Sequence, residues 1–295
     1  MKPHPETPNP HSAAGLQVLT LGAAEVWVNG QPADWHAGAA EELFFYLLSY
    51  PEGRSKEEIL DSLWGLPPDP AANNRFRVTL HRIRAALQNP EAVQEAHGRY
   101  RLAGEVLDST DLHGFYQALQ TAEAARDEAA KLSAYRMALG QYRGDYLPGV
   151  RADWVGQARE EHQTAYVQAL LEVALIGCAH QDCAASAQSL AQALRTDPYV
   201  GENYHQRLMC CLSVVADKFT SIEYYRRFVR FLKEEVDDTP MPETRELAER
   251  IKQGEGVCPF HPFQQGSCPL THDGTSPHAP IQLEPFLRVK PSDKN

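Results

Sequence analysis

The fold is decided by residues 73–87, which read NNRFRVTLHRIRAAL. Their apolar side chains fall at intervals of four, three and four residues, at Phe76, Leu80, Ile83 and Leu87. These intervals place all four on one face of an α-helix. The other faces carry arginine, asparagine and histidine and no acidic residue. The spacing therefore predicts an amphipathic helix that begins near Asn73 and has a basic outer side.

Strands and two further helices are predicted before this helix. Residues 16–36 have the alternation of short strands, and Asn29-Gly30 is a strong hairpin-turn signal. Residues 40–49 have helical spacing. Another helix should follow Ser55, because Ser55 and Glu58 have the spacing of a capping box. A stiff, non-helical loop is then predicted at Gly65, Leu66, Pro67, Pro68, Asp69 and Pro70.

A second hairpin is predicted after the basic helix, at residues 93–107, with its turn at His97-Gly98. Alternation points Tyr100 and Leu102 to the core and Arg99 and Arg101 to solvent. Strands, three helices and a basic hairpin in this order are typical of a winged helix. In that fold one helix fits the major groove of DNA, and the hairpin reaches the neighbouring backbone or minor groove.

The distribution of charge supports this interpretation more than the total does. The formal net charge is −11, which by itself argues against nucleic-acid binding. Residues 75–101, however, contain six arginines and only two acidic residues. A local basic patch can bind phosphate within an acidic chain. The alternative is a solvated charged helix face, but such faces usually mix both signs of charge.

From Asp111 to residue 253 almost every segment has helical spacing, in seven predicted helices. Alanines at close-packing positions and a proline after one helix suggest helix pairs similar to tetratricopeptide repeats (TPR), although the period is loose. The predicted fold class is mainly α with a small β component. An N-terminal winged helix-turn-helix at residues 16–107 precedes an all-α, TPR-like domain at residues 108–253. Residues 1–15 and 254–295 are expected to be flexible.

The winged-helix segments at residues 41–64, 73–87 and 98–102 resemble the OmpR/PhoB-type winged helix. Residues 139–147, 197–199, 224–228 and 247–251 resemble the bacterial transcriptional activator domain that follows it in Streptomyces antibiotic regulatory proteins (SARPs). The resemblance covers about residues 16–253. It lies in the order of the segments rather than in any one motif, and it implies a transcription regulator.

The resemblance also implies residues and partners. DNA contacts would come from the basic helix through Asn74, Arg75, Arg77, Thr79, His81, Arg82 and Arg84, and from the wing through Arg99 and Arg101. The loop at residues 65–70 would face RNA polymerase. Members of the family bind direct repeats in promoters as head-to-tail pairs, so self-association on DNA is expected. We see no receiver domain before the winged helix and expect no aspartyl phosphorylation in the same chain.

The last segment contains two cysteines and two histidines that could complete a zinc shell: Cys258, His261, Cys268 and His272. Their spacing matches no zinc finger that we can name. An unstructured tail, a haem-responsive pair of Cys-Pro dipeptides and a redox disulfide are the open alternatives. No cofactor is expected to be required.

Other classes of function lack sequence support. There is no phosphate-binding glycine loop, nucleophile elbow or metalloprotease signature, so an enzyme is not expected. We find neither a secretory signal nor a membrane span, and we expect a cytoplasmic protein. The alternative to a DNA-binding activator is a helical-repeat adaptor whose winged helix binds protein, which the net acidity favours.

Overall fold

A computed structural model describes residues 15–258 of the chain. These residues form two compact units. One contains the residues up to Ala124 together with Met137–Thr164, and the other contains Ala125–Arg136 and the residues from Ala165 onward. Among the described residues the strands all lie in the first unit and helices predominate, which confirms the predicted fold class.

The first unit opens with an antiparallel sheet of three strands, β1 (Leu16–Leu19), β2 (Glu25–Val28) and β3 (Gln31–Pro32). The turn between β2 and β3 lies at Asn29-Gly30, with φ angles of 51° and 79°. Asparagine and glycine tolerate this left-handed conformation better than other residues do. The predicted hairpin is therefore confirmed.

A capping box begins the second helix of this unit. Helix α1 (Gly38–Leu48) is followed by the short strand β4 (Arg54–Ser55) and by α2 (Lys56–Trp64). The Glu58 N–H donates to Ser55 Oγ at 3.1 Å, and the Ser55 N–H donates to the Glu58 carboxylate at 2.7 Å. The predicted box is confirmed, but strand β4 was not predicted.

The basic helix α3 (Pro70–Ala86) begins three residues earlier than predicted. The predicted start at Asn73 was wrong because Pro70 fits the first position of a helix, where no N–H is needed. Asp69 caps this end, since its carboxylate accepts a hydrogen bond of 2.7 Å from the Ala72 N–H. The apolar stripe is confirmed: Phe76, Leu80, Ile83 and Leu87 are all buried.

The second hairpin follows α3 and completes a winged helix. Strands β5 (Val93–Ala96) and β6 (Arg99–Leu102) are joined at His97-Gly98, as predicted. Strand β4 pairs with β6, which gives a second sheet in the order β4-β6-β5. The predicted hairpin ran to residue 107, but residues 104–108 form a short helix, α4 (Gly104–Asp108).

Seven helices follow α4 within the described residues, as predicted. They are α5 (Asp111–Ala124), α6 (Glu128–Gln141), α7 (Asp153–Ala179), α8 (Cys183–Thr196), α9 (Glu202–Val215), α10 (Lys218–Phe231) and α11 (Pro242–Gln253). Helix α10 begins at Lys218 because the Asp217 carboxylate caps it by accepting a hydrogen bond from the Thr220 N–H. A π-helix at Leu232–Val236 follows α10 directly.

The Asp111 carboxylate joins the start of α5 to the first sheet. It accepts hydrogen bonds from the Thr20 N–H at 2.8 Å, the Thr20 hydroxyl at 2.7 Å and the Leu21 N–H at 3.0 Å. Thr20 is fully buried and Leu21 nearly so. The first compact unit therefore continues past residue 107, and the domain boundary at 107/108 stays a prediction from sequence.

His162 lies among aromatic side chains of the same unit. Its Nδ1 atom is 2.8 Å from the Tyr116 hydroxyl, and its ring meets the Tyr146 ring edge-on at a centroid distance of 4.6 Å. Burial disfavours the charged imidazolium and lowers the pKa of His162 to about 4. The folded protein therefore keeps this histidine neutral at neutral pH.

Replacement of Asp111 by alanine should lower the free energy of unfolding by about 2–4 kcal/mol, because buried N–H groups of Thr20 and Leu21 lose their acceptor. Chemical denaturation of the full chain measures this change. Asp108→Ala is the matched control, since Asp108 is exposed and should cost less than about 1 kcal/mol. Equal losses in the two variants would contradict this role for Asp111.

Stability should fall as the pH is lowered from about 6.5 to 4. The unfolded His162 takes up a proton below its ordinary pKa near 6.5, whereas the folded form resists protonation until about pH 4. One such histidine gives a slope of up to about 1.4 kcal/mol per pH unit. Urea unfolding of wild type and His162→Gln over this range should show a weaker pH dependence in the variant. Parallel curves would refute the assignment.

Candidate nucleic-acid interface

The solvent face of α3 carries most of the predicted helix contacts. Asn74, Arg75, Arg77 and His81 are exposed, and Arg82 is half-buried. On the opposite face Phe76 packs edge-on against Tyr100 of β6 at a ring-centroid distance of 4.8 Å. The helix contains no acidic residue. Burial of the apolar stripe therefore directs a basic, uncompensated surface to solvent.

Arg75 is supported by an aromatic platform that the sequence did not reveal. Its guanidinium carbon lies 4.4 Å from the centre of the Trp64 ring. Trp64 is half-buried at the end of α2. A guanidinium over an indole face gains a cation–π attraction and loses rotational freedom. Trp64 thus holds Arg75 at the surface.

Two of the predicted contacts in α3 make hydrogen bonds within the fold. Thr79 is 2% exposed, and its hydroxyl donates to the Arg75 carbonyl at 2.8 Å. The structure therefore does not present Thr79 to a ligand. Arg84 is half-buried, and its Nη2 atom donates to the Val93 carbonyl at 2.8 Å. This hydrogen bond ties α3 to strand β5.

The two wing arginines differ in the same way. Arg99 donates to the Gly53 carbonyl from Nε at 3.1 Å and from Nη2 at 2.7 Å. Nη2 also lies 3.6 Å from the carboxylate of Glu58. The pKa of Glu58 is lowered mainly by the hydrogen bond from the Ser55 N–H and further by Arg99. Arg101 is exposed and keeps its charge available at the surface.

The loop between α2 and α3 is short, and the helix ends on both sides of it are capped. Gly65 ends α2 in the left-handed region with φ of 58°, which glycine adopts without strain. Asp69 begins α3, as described above, and Pro70 belongs to α3 rather than to the loop. Leu66 is half-buried, whereas the other loop residues are exposed. The loop is thus a mostly exposed segment at the start of α3.

The predicted metal site falls largely outside the described residues. His261, Cys268 and His272 lie there, whereas Cys258 is buried. Within residues 15–258 no three histidine, cysteine or acidic side chains are arranged to hold a metal ion.

The cysteines of this range are free thiols, and the sulfur atoms of Cys178 and Cys211 lie 3.8 Å apart. In the same range no helix is long and apolar enough to cross a bilayer.

Comparison with known proteins identifies the helical part of the chain. Residues 107–252 match the model of the family described as bacterial transcriptional activator domain. The curated proteins include two relatives, each named regulatory protein AfsR. The one from Streptomyces griseus is 27% identical over 86% of this chain and 26% of its own length. The one from Streptomyces coelicolor is 28% identical over 82% of this chain and 25% of its own length. The chain thus spans about a quarter of these relatives.

Among solved structures, the chain resembles Mycobacterium tuberculosis EmbR in complex with a low-affinity phosphopeptide. The TM-score is 0.66 at 20% sequence identity, over 83% of this chain and 67% of that one. This likeness extends to the fold of both parts of the chain. A winged helix is followed here by the matched activator domain at residues 107–252. The chain therefore resembles SARP-like regulators, and its residues 107–252 match their bacterial transcriptional activator domain.

Proposed function

We propose that the protein is a sequence-specific DNA-binding regulator that activates transcription. One observation carries this proposal. The solvent face of α3 is basic and the helix has no carboxylate, although the chain has a net charge of −11. Such a local excess of positive charge is suited to a phosphate backbone. The names of the AfsR relatives and the description of the matched family support a regulatory role.

In this proposal α3 enters the major groove of DNA. Asn74 offers an amide suited to adenine, and Arg77 and Arg82 offer guanidiniums suited to guanine O6 and N7. Arg75, held over Trp64, lies near the start of the helix and is suited to phosphate. Arg101 extends the basic surface onto the wing, where it would contact the neighbouring backbone.

Paired binding on direct repeats follows from the small number of available charges. After Arg84 and Arg99 are set aside as internal ties, the surface retains Arg75, Arg77, Arg82 and Arg101. Each phosphate contact contributes to a salt-dependent affinity, so few contacts give weak binding by one copy. Two copies on neighbouring repeats would raise the affinity. The exposed loop between α2 and α3 is then suited to contact RNA polymerase.

The double variant Arg77→Ala/Arg82→Ala should weaken binding to a genomic fragment selected by the wild-type protein. Loss of two base contacts should cost about 2 kcal/mol or more, which is about 30-fold in dissociation constant. Fluorescence anisotropy with labelled duplex at fixed salt measures this change.

A matched control carries the same change of charge away from α3. Arg126 and Arg136 are exposed and lie outside the winged helix, so Arg126→Ala/Arg136→Ala should bind almost as wild type does. Equal weakening by both double variants would mean that only net charge matters. No binding of wild type at low or moderate salt would favour the adaptor function, in which the winged helix binds protein.

The two wing arginines should respond differently to substitution. Arg101→Ala should reduce the slope of log affinity against log salt by about 0.9, because one phosphate contact is lost. Arg99→Ala should instead lower the free energy of unfolding by about 1–2 kcal/mol, because the Gly53 carbonyl loses its donors. Salt titrations and urea unfolding of both variants separate the two effects. Identical behaviour of the variants would overturn this division.

A further inference from the structure

Two buried cysteine side chains meet between helices of the second compact unit. Cys178 lies at the end of α7 and Cys211 lies in α9, and they are 3% and 1% exposed. They are 33 positions apart in the chain, so the fold creates their contact. Their sulfur atoms are 3.8 Å apart. A disulfide needs a sulfur–sulfur distance of about 2.0 Å, so the two atoms must approach each other by about 1.8 Å.

The surroundings of Cys178 favour its thiolate. A hydrogen bond with the Cys211 thiol is the main cause that lowers the pKa of Cys178, and the guanidinium of Arg207 adds to this effect. The same hydrogen bond raises the pKa of Cys211, and burial raises the pKa of the neighbouring thiols Cys183 and Cys210 to about 11. The thiolate is the nucleophilic form of cysteine. Cys178 is therefore the nucleophile of this group, and Cys211 is the thiol beside it.

We propose that Cys178 and Cys211 are a redox pair that forms a reversible disulfide between α7 and α9 when the protein meets hydrogen peroxide. The oxidant is expected to be small, because both sulfur atoms are buried. A bulky disulfide such as oxidised glutathione is expected to react far more slowly. This inference is independent of the proposed DNA-binding function.

The chemistry of the pair takes two steps. The Cys178 thiolate attacks one peroxide oxygen, so that a sulfur–oxygen bond forms, the oxygen–oxygen bond breaks and hydroxide leaves. The hydroxide takes up the proton that the Cys178 thiol had lost. The Cys211 sulfur then attacks the sulfenic acid at Cys178, the disulfide forms, and the sulfenic oxygen leaves as water with the proton of the Cys211 thiol. Two thiols are oxidised, and one peroxide is reduced to two water molecules.

Peroxide treatment of the full chain, followed by mass spectrometry of its peptides, tests the pair. Wild type should form a disulfide between Cys178 and Cys211 that dithiothreitol reduces. The link limits the unfolded chain, so oxidation should raise the midpoint of urea unfolding. Cys211→Ala should show no such rise, and dimedone should trap the unresolved sulfenic acid on Cys178. Cys178→Ala should form neither the disulfide nor a dimedone adduct on Cys211.

Cys183→Ala and Cys210→Ala are the matched controls, since each removes a thiol close in sequence to one member of the pair. Both variants should form the disulfide as wild type does. The inference is overturned if folded wild type forms no disulfide with peroxide, which needs no variant to be stable. It is also overturned if the disulfide is lost in either control or if dimedone labels Cys211 instead of Cys178.

Discussion

The burial of one apolar stripe on α3 is the constraint on which the candidate interface depends. Phe76, Leu80 and Ile83 are each at most 5% exposed, so the rotation of the helix about its axis is set by the core. The Asp69 cap sets where the helix begins, and the Arg84 hydrogen bond ties its later part to β5. Because these contacts fix the buried side, the opposite side must face solvent with its asparagine, histidine and arginines.

The wing is held in place partly by charged side chains. Arg99 donates hydrogen bonds to the Gly53 carbonyl. The Glu58 carboxylate accepts the hydrogen bond from the Ser55 N–H at the start of α2 and also lies 3.6 Å from Arg99 Nη2. These polar groups join β4, β6 and the start of α2 into one local arrangement. A guanidinium that the resemblance assigns to DNA can therefore be held by hydrogen bonds within the fold. The number of arginines in the sequence thus overestimates how many guanidiniums lie without such bonds at the surface.

Local signals in the sequence predicted much of this fold. The capping box at Ser55 and Glu58, the Asn29-Gly30 turn and the apolar stripe of α3 each depend on residues a few positions apart, and the structure confirms them. Contacts between distant residues were missed. Arg99 and Gly53 are 46 positions apart, and nothing in either segment indicates that they meet. The Trp64 platform for Arg75 was missed for the same reason.

Helical spacing could have indicated that two predicted site residues lie beside the buried stripe. Thr79 lies three residues after Phe76 and four before Ile83, which places it beside the buried stripe. Arg84 lies four residues after Leu80 on the same side. Both were included because the resemblance to a family covers the whole helix, whereas the geometry separates its faces. The resemblance indicated the element, and burial indicated which of its residues are accessible.

If the exposed face of α3 reads the major groove, bound protein should protect guanine N7 from methylation by dimethyl sulfate. N7 lies in the major groove. The account predicts protection of guanines in two clusters about one helical turn apart when wild type is bound, with protection lost in Arg77→Ala/Arg82→Ala. DNA binding by the wild-type protein without any protection at N7 would contradict the account.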